Sequence, residues 1–445
     1  MRALLLILIG GGLLWLLIQG FGPSLAKDSG ASNSGGTMLR EDLPATPDTP
    51  ASAPENKGSE ASSAGSPAVV PAPAKPEVAT STPPAPAPEA RAAGSGLSEA
   101  EVAAQLLHQT DGFVDWLAKA KLDLSPGRRE FARALALQLN GRGEEAGALT
   151  RELGSAKDLA PDEAKLLEFW PQGAAFALPK AGASGGSLLL RAAGLASAER
   201  AAAEALASGR WPDAVEGYSR LLLEELRSPW EPDPQGLAHW AEGLTQAQRG
   251  HRWNRKGSWS ALELKVNSGD SLISLRKRAL QERSDLVTCT GLIARANQLQ
   301  GETLQPGQTL RIPTGKPHVL VDLSARWLFF MLDDEVVGAW PVGVGKPGNE
   351  TPPGRYTVGE KSVDPTWFRA GKQPVSAGDP SNPLGTRWIA WVSASGEKTH
   401  LGFHGTRDPE SIGQDESEGC IRMLNRQVEE LYEILPRNSE ILVQP

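Results

Sequence analysis

The sequence predicts a multidomain protein: an all-α helical region, a small module of order βααβ and a mostly-β C-terminal domain. Three observations support this division. Residues 97–252 are rich in Ala and Leu at helical spacing, residues 262–313 alternate strand, turn and helix patterns, and residues 316–445 contain short runs of strand-forming residues. A chain of 445 residues is long enough for several domains of ordinary size.

The N-terminal segment, 1–26, has the layout of an export segment. Met1-Arg2 precedes an apolar run from Ala3 to Ile18, and no further charge occurs before Lys27. One positive charge ahead of such a run is typical of a signal peptide, although the length of the run also approaches a membrane span. We expect either a signal peptide cleaved after Ser24-Leu25-Ala26 or an anchor in the cytoplasmic membrane. Both place the rest of the chain in an extracytoplasmic space.

Residues 27–96 are dominated by Pro, Ala, Ser, Gly and Thr and contain almost no large apolar side chains. Such a segment cannot bury enough apolar surface to offset the entropy lost on ordering, so we expect a disordered linker. As a flexible coil it would span about 45–50 Å, which suits a tether between a membrane and the folded domains that follow.

The helical region, residues 97–255, is predicted from the windows 101–107, 129–139, 163–169 and 199–206. Two stretches within it are alike, Gly141-Arg-Gly-Glu-Glu-Ala146 and Gly209-Arg-Trp-Pro-Asp-Ala214. Their separation is twice the tetratricopeptide (TPR) period of about 34 residues. The region is therefore either TPR-like, and a candidate for binding a protein partner, or an all-helical spacer.

Residues 262–313 predict a strand, two helices and a second strand. Asp270 or Ser271 is placed to cap the first helix, and the second helix is expected at 286–297. This order, with the turn at 269–272, Asn297 and the run 306–310, resembles a LysM module, a family that binds glycans containing N-acetylglucosamine. The resemblance implies a sugar groove formed by Gly269, Asp270, Ser271 and Leu272. The alternative is a degenerate module kept as a scaffold.

The C-terminal domain, residues 316–445, is expected to be mostly β. Strands are predicted at 318–322, 327–332, 336–342, 354–358, 387–392, 401–404 and 440–443, with a hairpin turn at Asp333-Asp334. One helix is predicted near 425–435, with Asn425 placed to cap it and Pro436 after its end.

The segment around Cys420 contains the groups that acyl transfer at an amide requires. A thiol attacks a carbonyl as its thiolate, and a neighbouring base must remove the proton. Cys420 supplies the thiol, and His404, earlier in the chain at a predicted strand end, is the candidate base. Gly419 permits a tight turn that directs the N–H groups of Gly419 and Cys420 towards an oxyanion. Arg422 lies on the thiol's side of an extended segment.

The pattern His404-Gly405-Thr406, a spacer, then Ser417-x-Gly419-Cys420-x-Arg422-Met423 resembles the L,D-transpeptidase (YkuD) family. Further agreement over residues 316–445 includes Thr351-Pro352-Pro353-Gly354, Asn382-Pro383-Leu384-Gly385 and Asn425-x-x-Val428. The resemblance implies that Cys420 is the nucleophile and His404 the base, oriented by the Gly405 carbonyl. It also implies that substrate is bound by Arg422, Ser417, Gly419 and Thr406, and that carbapenems acylate Cys420.

On this resemblance we expect a peptidoglycan L,D-transpeptidase with stem peptides and glycan strands as partners. Cys420 attacks the carbonyl of the third stem residue, releases terminal D-alanine and passes the acyl group to a side-chain amine of a neighbouring stem, giving a 3–3 cross-link. The alternatives are an L,D-carboxypeptidase or other wall hydrolase, and a non-catalytic peptidoglycan-binding protein. Glu418 stands where relatives carry His or Lys, and we expect its charge to raise the thiol pKa or alter donor preference.

Charge and cysteine content exclude other classes. The net charge of −8 provides no basic field for nucleic acid. His400 and His404 have the i, i+4 spacing of a helical zinc site, but we expect them on a strand without a third ligand, so no metal or cofactor is expected. Cys289 and Cys420, the two cysteines, fall in different predicted domains and are expected to be free thiols.

Overall fold

The computed structural model describes residues 96–108, 111–168, 170, 186–254, 256–257, 259–301, 303–368 and 373–445. The expected export segment and, apart from Gly96, the expected linker lie outside these residues. Among the helices of the described part of the chain, none combines the length and hydrophobicity that a membrane span requires.

The N-terminal part of the described chain is all-helical, as predicted. Its helices are α1 (Glu99–His108), α2 (Phe113–Lys119), α3 (Pro126–Leu139), α4 (Gly143–Leu153), α5 (Pro161–Glu168), α6 (Leu188–Ala207), α7 (Trp211–Glu225) and α8 (Pro234–Gly250). The sequence windows identified α1, α3, α5 and the second half of α6. The core between these helices contains fully buried aromatic rings such as Phe113, Phe131 and Trp240.

The two similar stretches of the helical region form the same kind of helix–turn–helix corner. Gly141 and Gly209 adopt φ values of +74° and +71°, which glycine accepts without steric cost. In each corner the next residue donates its N–H, at 2.8 Å, to a carbonyl five residues back, the Schellman arrangement that ends a helix. The likeness therefore corresponds to two equivalent corners, α3–α4 and α6–α7, and TPR-like packing is not confirmed.

The second unit has the predicted βααβ order. Strands β1 (Ala261–Lys265) and β2 (Thr309–Pro313) pair antiparallel, with α9 (Leu272–Glu282) and α10 (Thr290–Ala296) between them. Ser271, one of the two predicted caps, caps α9 through a reciprocal pair of hydrogen bonds with Ser274. The prediction that the second helix begins at residue 286 was wrong. Leu286 lies in a non-helical segment, and its side chain is buried in the core of the unit. Its apolar character therefore does not indicate a helix.

In the described residues the C-terminal domain contains a mixed eight-stranded sheet of order β11-β9-β8-β7-β12-β3-β4-β5. The elements are β3 (Pro317–Asp322), β4 (Trp327–Leu332), β5 (Glu335–Pro341), β6 (Val344–Gly345), β7 (Gly354–Val363), β8 (Arg387–Ser393), β9 (Lys398–His404), β10 (Asp415–Ser417), β11 (Ile421–Arg422), α11 (Asn425–Ile434) and β12 (Glu440–Gln444). The seven predicted strands are all present. The predicted cap is wrong: Asn425 begins α11, and its side-chain oxygen accepts the Thr386 N–H at 3.2 Å instead.

Strand β4 belongs to two hydrophobic cores, because alternate side chains of a strand point to opposite faces. One face, Leu328, Phe330 and Leu332, packs inside the C-terminal domain. The other face, Trp327, Phe329 and Met331, packs into the core of the helical region. The helical region is therefore attached to the sheet through a shared core, a contact that a simple spacer does not make.

Removal of one ring from this shared core tests the packing. We expect Phe329→Ala to lower the free energy of unfolding by about 3–5 kcal/mol, because the side chain is fully buried and leaves a cavity. Phe368→Ala is the control, since Phe368 is 74% exposed. Urea denaturation of both variants measures the difference. A loss below about 1 kcal/mol for Phe329→Ala would contradict the shared core.

The βααβ unit also packs firmly, on helix α11 of the C-terminal domain. The Cys289 thiol donates to the Glu433 carbonyl at 3.2 Å, and Arg295 forms an ion pair with Glu430. A side chain at Gly291 would overlap the Glu433 carbonyl, so this close approach requires glycine. Cys289 is thus a buried cysteine outside any disulfide and is used in packing, as expected.

Candidate active site

A cleft of about 880 Å³ opens on the face of the sheet formed by β7, β8 and β9. Alternate residues of these strands line it, and the segment after β10 closes one side. The lining residues used below are Lys346, Glu360, Trp388, His400, His404, Glu416, Glu418, Cys420 and Arg422. A larger cavity of about 1180 Å³ between α4 and α5 borders residues outside the described ranges and is lined by no Cys or His. The chemistry therefore points to the cleft on the sheet.

His404, the last residue of β9, is buried and fixed from two directions. Its Nδ1 lies 2.6 Å from the Gly405 carbonyl oxygen. Because a carbonyl can only accept, Nδ1 carries the hydrogen, and Nε2 of the neutral ring is left free to accept a proton. The ring stacks on Trp388, the residue of β8 that pairs with His404 in the sheet. The two ring centroids are 6.1 Å apart, and the ring planes are inclined at 28°.

Cys420 is half-buried and lies beside β9. Parallel pairing of β11 with β9 matches Arg422 to His404, and the Met423 N–H donates to the His404 carbonyl at 2.9 Å. The Cys420 sulfur lies 3.5 Å from the His400 carbonyl oxygen. This pairing places the thiol and the imidazole in the same cleft, which both side chains line.

The turn before Cys420 is stabilised by the side chain of Ser417, a residue of the turn itself. Ser417 is 1% exposed, and its hydroxyl donates to the Cys420 carbonyl at 2.6 Å while accepting the Gly419 N–H at 3.1 Å. Gly419 has a φ of +102°, as the predicted tight turn requires. The Ser417 hydroxyl and the Gly419 N–H are both engaged within the turn, and Ser417 also lines the cleft. Contact of Ser417 and Gly419 with substrate stays a prediction. Among the described residues the Cys420 N–H donates to no backbone carbonyl, so it remains for an oxyanion.

The loop after His404 depends on two residues of the motif. A side chain at Gly405 would overlap the side-chain oxygen of Asn425, so glycine is needed where the loop meets α11. Thr406 is buried, and its hydroxyl accepts the Asp408 N–H at 3.0 Å. The Thr406 side chain stabilises this turn and is not among the described residues that line the cleft, and contact of Thr406 with substrate stays a prediction.

Two of the described residues that line the cleft are cationic. Arg422 points into it, and its nearest carboxylate, that of Glu416, is 4.0 Å away. Lys346 also lines the cleft, and its backbone N–H donates to the Ser417 carbonyl at 3.0 Å. No role was predicted for Lys346 or for Trp388. Trp388 can be identified from the antiparallel pairing of β8 with β9, because this register places its ring opposite His404.

Asn382 fastens the loop that carries Trp367 and Phe368 along the cleft. The side chain is 2% exposed, and its amide donates to the carbonyls of Pro365 at 2.9 Å, Ser376 at 3.1 Å and Val375 at 3.3 Å. Its oxygen accepts the Leu384 N–H at 2.9 Å. A buried amide with all these partners fixes both ends of the loop.

Burial controls the ionisation of the two central groups. It lowers the pKa of His404 to about 4, an effect that the Arg422 charge increases and the Gly405 hydrogen bond opposes. Burial is the main reason that the pKa of Cys420 is raised to about 11. The Glu418 charge contributes to this rise, and the Gly402 N–H and Arg422 oppose it. At neutral pH the resting pair is therefore a neutral thiol and a neutral imidazole.

The low pKa of His404 predicts the acid limit of activity. Imidazole accepts a proton only when it is neutral, so acylation of Cys420 should persist down to a pH of about 4 and decline below it. The rate of acylation by a carbapenem, measured by mass spectrometry between pH 3.5 and 8, tests this. Glu418→Gln should keep the same acid limit, which separates His404 from the cleft carboxylates. A decline centred near 6.5, the ordinary imidazole value, would contradict the burial argument.

The side chains of the turn at residues 269–272 of the βααβ unit interact mainly with other residues of the same unit. Asp270 accepts the Asn267 N–H at 2.8 Å and forms an ion pair with Arg278 at 2.6 Å, while the Leu272 side chain is buried. The Asn267 hydrogen bond, with further contributions from Ser274 and Arg278, lowers the pKa of Asp270. Gly269 has a φ of +82°. The Leu272 side chain belongs to the core of the unit, and glycan binding at the turn of residues 269–272 stays a prediction.

Two family models match the chain. Residues 316–443 match the L,D-transpeptidase catalytic domain (YkuD), and residues 264–313 match the LysM domain. Among curated relatives, the putative L,D-transpeptidase YqjB of Bacillus subtilis is 36% identical over 129 residues, 29% of this chain and 72% of that protein. The putative L,D-transpeptidase YkuD of the same organism is 30% identical over 189 residues, 41% of this chain and 98% of that protein.

A solved structure gives a weaker match. The catalytic domain of an L,D-transpeptidase from E. faecium is 22% identical, covers 29% of this chain and 98% of its own, and has a TM-score of 0.24. The sequence matches carry the assignment. The chain belongs to the L,D-transpeptidase (YkuD) family, which implies a transferase, and a LysM domain precedes its catalytic domain.

Proposed function

We propose that the protein is a peptidoglycan L,D-transpeptidase that forms 3–3 cross-links through a thioester at Cys420. The Cys420 sulfur attacks the carbonyl of the third stem residue, and His404 Nε2 takes the thiol proton. His404 then returns this proton to the departing amine of D-alanine. The observation that carries the proposal is an imidazole held by the Gly405 carbonyl in the cleft that also contains the thiol.

The surrounding groups suit this reaction. The Cys420 N–H stabilises the oxyanion that forms when the sulfur attacks. Arg422 and Lys346 attract the carboxylate of the donor stem, since both cations line the cleft. Gly405, Thr406, Ser417 and Gly419 act by shaping the backbone on either side of the reacting pair. The second half of the reaction transfers the acyl group from sulfur to the amine of a neighbouring stem.

The LysM domain supplies a glycan-binding function in the same proposal. The turn that contains Gly269, Asp270 and Ser271 is rigid, because its polar side chains are satisfied internally. Glycan strands would bind at this turn through its backbone and exposed edges. A LysM domain joined to an L,D-transpeptidase domain implies peptidoglycan as the partner, and hence action outside the cytoplasm.

Product analysis tests the proposal against its two rivals. The full-length protein is incubated with a disaccharide-tetrapeptide, and the products are separated and identified by mass spectrometry. We expect dimers linked between the third residues of two stems, with release of D-alanine. Tripeptide without dimer would instead identify an L,D-carboxypeptidase. Unchanged substrate and no acyl-enzyme would identify a non-catalytic binding protein.

A further inference from the structure

The turn that precedes the thiol presents one carboxylate, that of Glu418, to the cleft. Ser417 on one side is buried, and its hydroxyl is used by the turn; Gly419 on the other side has no side chain. Glu418 is exposed and lines the cleft beside Cys420. Its charge acts on the sulfur, because it raises the pKa of the Cys420 thiol.

Among the residues that the structure describes, Glu418 has no cationic partner, unlike the nearby glutamates Glu360 and Glu416. Glu360 lies 3.2 Å from the Lys398 ammonium, and Glu416 lies 4.0 Å from the Arg422 guanidinium. Within the described ranges of the chain, Glu418 forms no ion pair and no side-chain hydrogen bond. An unpaired carboxylate beside a nucleophilic sulfur is unfavourable for the thiolate, so a cation in the cleft is the group that would compensate it.

The two half-reactions bring opposite charges to this place. The donor stem ends in a carboxylate, which Glu418 repels and the cations Arg422 and Lys346 attract. The acceptor brings an amine, which is an ammonium ion in neutral solution and is attracted by Glu418. Water, the competing acceptor, is neutral and gains nothing from this charge. The carboxylate therefore opposes the first half-reaction, and in the second it favours a cationic acceptor over water.

We propose that Glu418 determines acceptor specificity: its exposed carboxylate beside Cys420 draws a cationic amine to the thioester and so favours transfer over hydrolysis. This inference rests on the proposed function. In the balanced step the amine nitrogen forms a bond to the thioester carbonyl carbon, and the carbon–sulfur bond breaks. Of the two protons lost by the ammonium group, one goes to solvent. His404 passes the other from the nitrogen to the departing sulfur, which leaves amide and free thiol.

The test measures how the acyl group is partitioned in the full-length protein. A tetrapeptide stem is the donor, and the acceptor is either Nα-acetyl-lysine amide, which is cationic, or hydroxylamine, which is neutral at pH 7.5. We expect Glu418→Gln to lower the ratio of transfer to hydrolysis about fivefold for the cationic acceptor and to leave it unchanged for hydroxylamine, as loss of a partly exposed charge pair implies. D-alanine release should rise, because the pKa of the thiol falls.

Two controls separate the inference from trivial effects. Glu397→Gln removes an exposed carboxylate in the turn between β8 and β9, outside the cleft lining, and should change neither ratio. Glu418→Asp keeps the charge and should retain most of the preference. In the wild type, added salt should reduce the preference for the cationic acceptor, a measurement that needs no variant.

The outcomes also distinguish this inference from the proposed function. A ratio in Glu418→Gln within twofold of the wild type, with D-alanine release intact, would overturn the role of Glu418 and leave the transpeptidase standing. A salt-independent acceptor preference would do the same. Absence of D-alanine release from the wild type would overturn the proposed function itself.

Discussion

Replacing His404 with Gln is expected to slow acylation of Cys420 by about 10³-fold at pH 7. A thiol with a pKa of about 11 is ionised in only about one molecule in 10⁴ at this pH, so attack depends on a base that removes the proton. Gln has a similar volume and can hydrogen-bond to the Gly405 carbonyl, but it cannot accept the proton. The measurement is the rate of carbapenem adduct formation followed by mass spectrometry.

The neighbouring histidine is a matched control for this variant. His400 lies on the same strand and lines the same cleft, and its backbone carbonyl oxygen lies 3.5 Å from the Cys420 sulfur. His400→Gln should therefore keep acylation within about twofold of the wild type. In His404→Gln, the residual rate should rise about tenfold per pH unit between pH 7 and 10, as hydroxide replaces the base. Equal losses in the two variants would show that His404 is not the base.

Replacing Gly419 with Ala is expected to reduce acylation by about 10²-fold. At a φ of +102° an L-amino acid is strained, so the turn must relax and move the sulfur from its place beside β9. Misplacement of a reacting atom by about 1 Å is enough for a loss of this size. Space is not the cause, because the nearest side-chain atom, Leu401 Cδ2, would lie 3.4 Å from the added carbon.

Gly396→Ala separates backbone strain from catalysis. Gly396 has a φ of +85°, and an added carbon there would meet nothing within 4 Å, so its strain resembles that at Gly419. It lies in the turn between β8 and β9 and does not line the cleft. Both variants should lose about 1–2 kcal/mol of stability, and only Gly419→Ala should lose activity. Full activity in a folded Gly419→Ala protein would contradict the role of the turn.

The strands, and the candidate pair His404 and Cys420, could be predicted from the sequence because their signals are local. Strand β4 was identified from its composition, and His404 and Cys420 from a motif confined to the short segment 404–423. Parallel pairing of β11 with β9 then brings them into one cleft. The roles of Ser417 and Thr406 were less accessible, because a hydroxyl that binds substrate and one that fastens its own turn look the same in sequence.

The packing between domains could not be derived from the sequence. Continuous apolar character in β4 is consistent with burial on both faces, but nothing in the sequence specifies that one face packs against the helical region. Contact of Gly291 and Cys289 with Glu433 joins residues that are far apart in the chain. The start of α10 was misplaced for a similar reason. Leu286 is apolar because it is buried in the core, and its spacing from later apolar residues resembles part of a helical pattern.

The central claim is that Cys420 carries an acyl group, and trapping that intermediate tests it most directly. The full-length protein is treated with a carbapenem, digested, and mapped by mass spectrometry. The adduct should lie on Cys420 and be absent from Cys420→Ala, while the buried thiol of Cys289 should remain unmodified as an internal control. An adduct on Cys289, or one that persists in Cys420→Ala, would contradict the account.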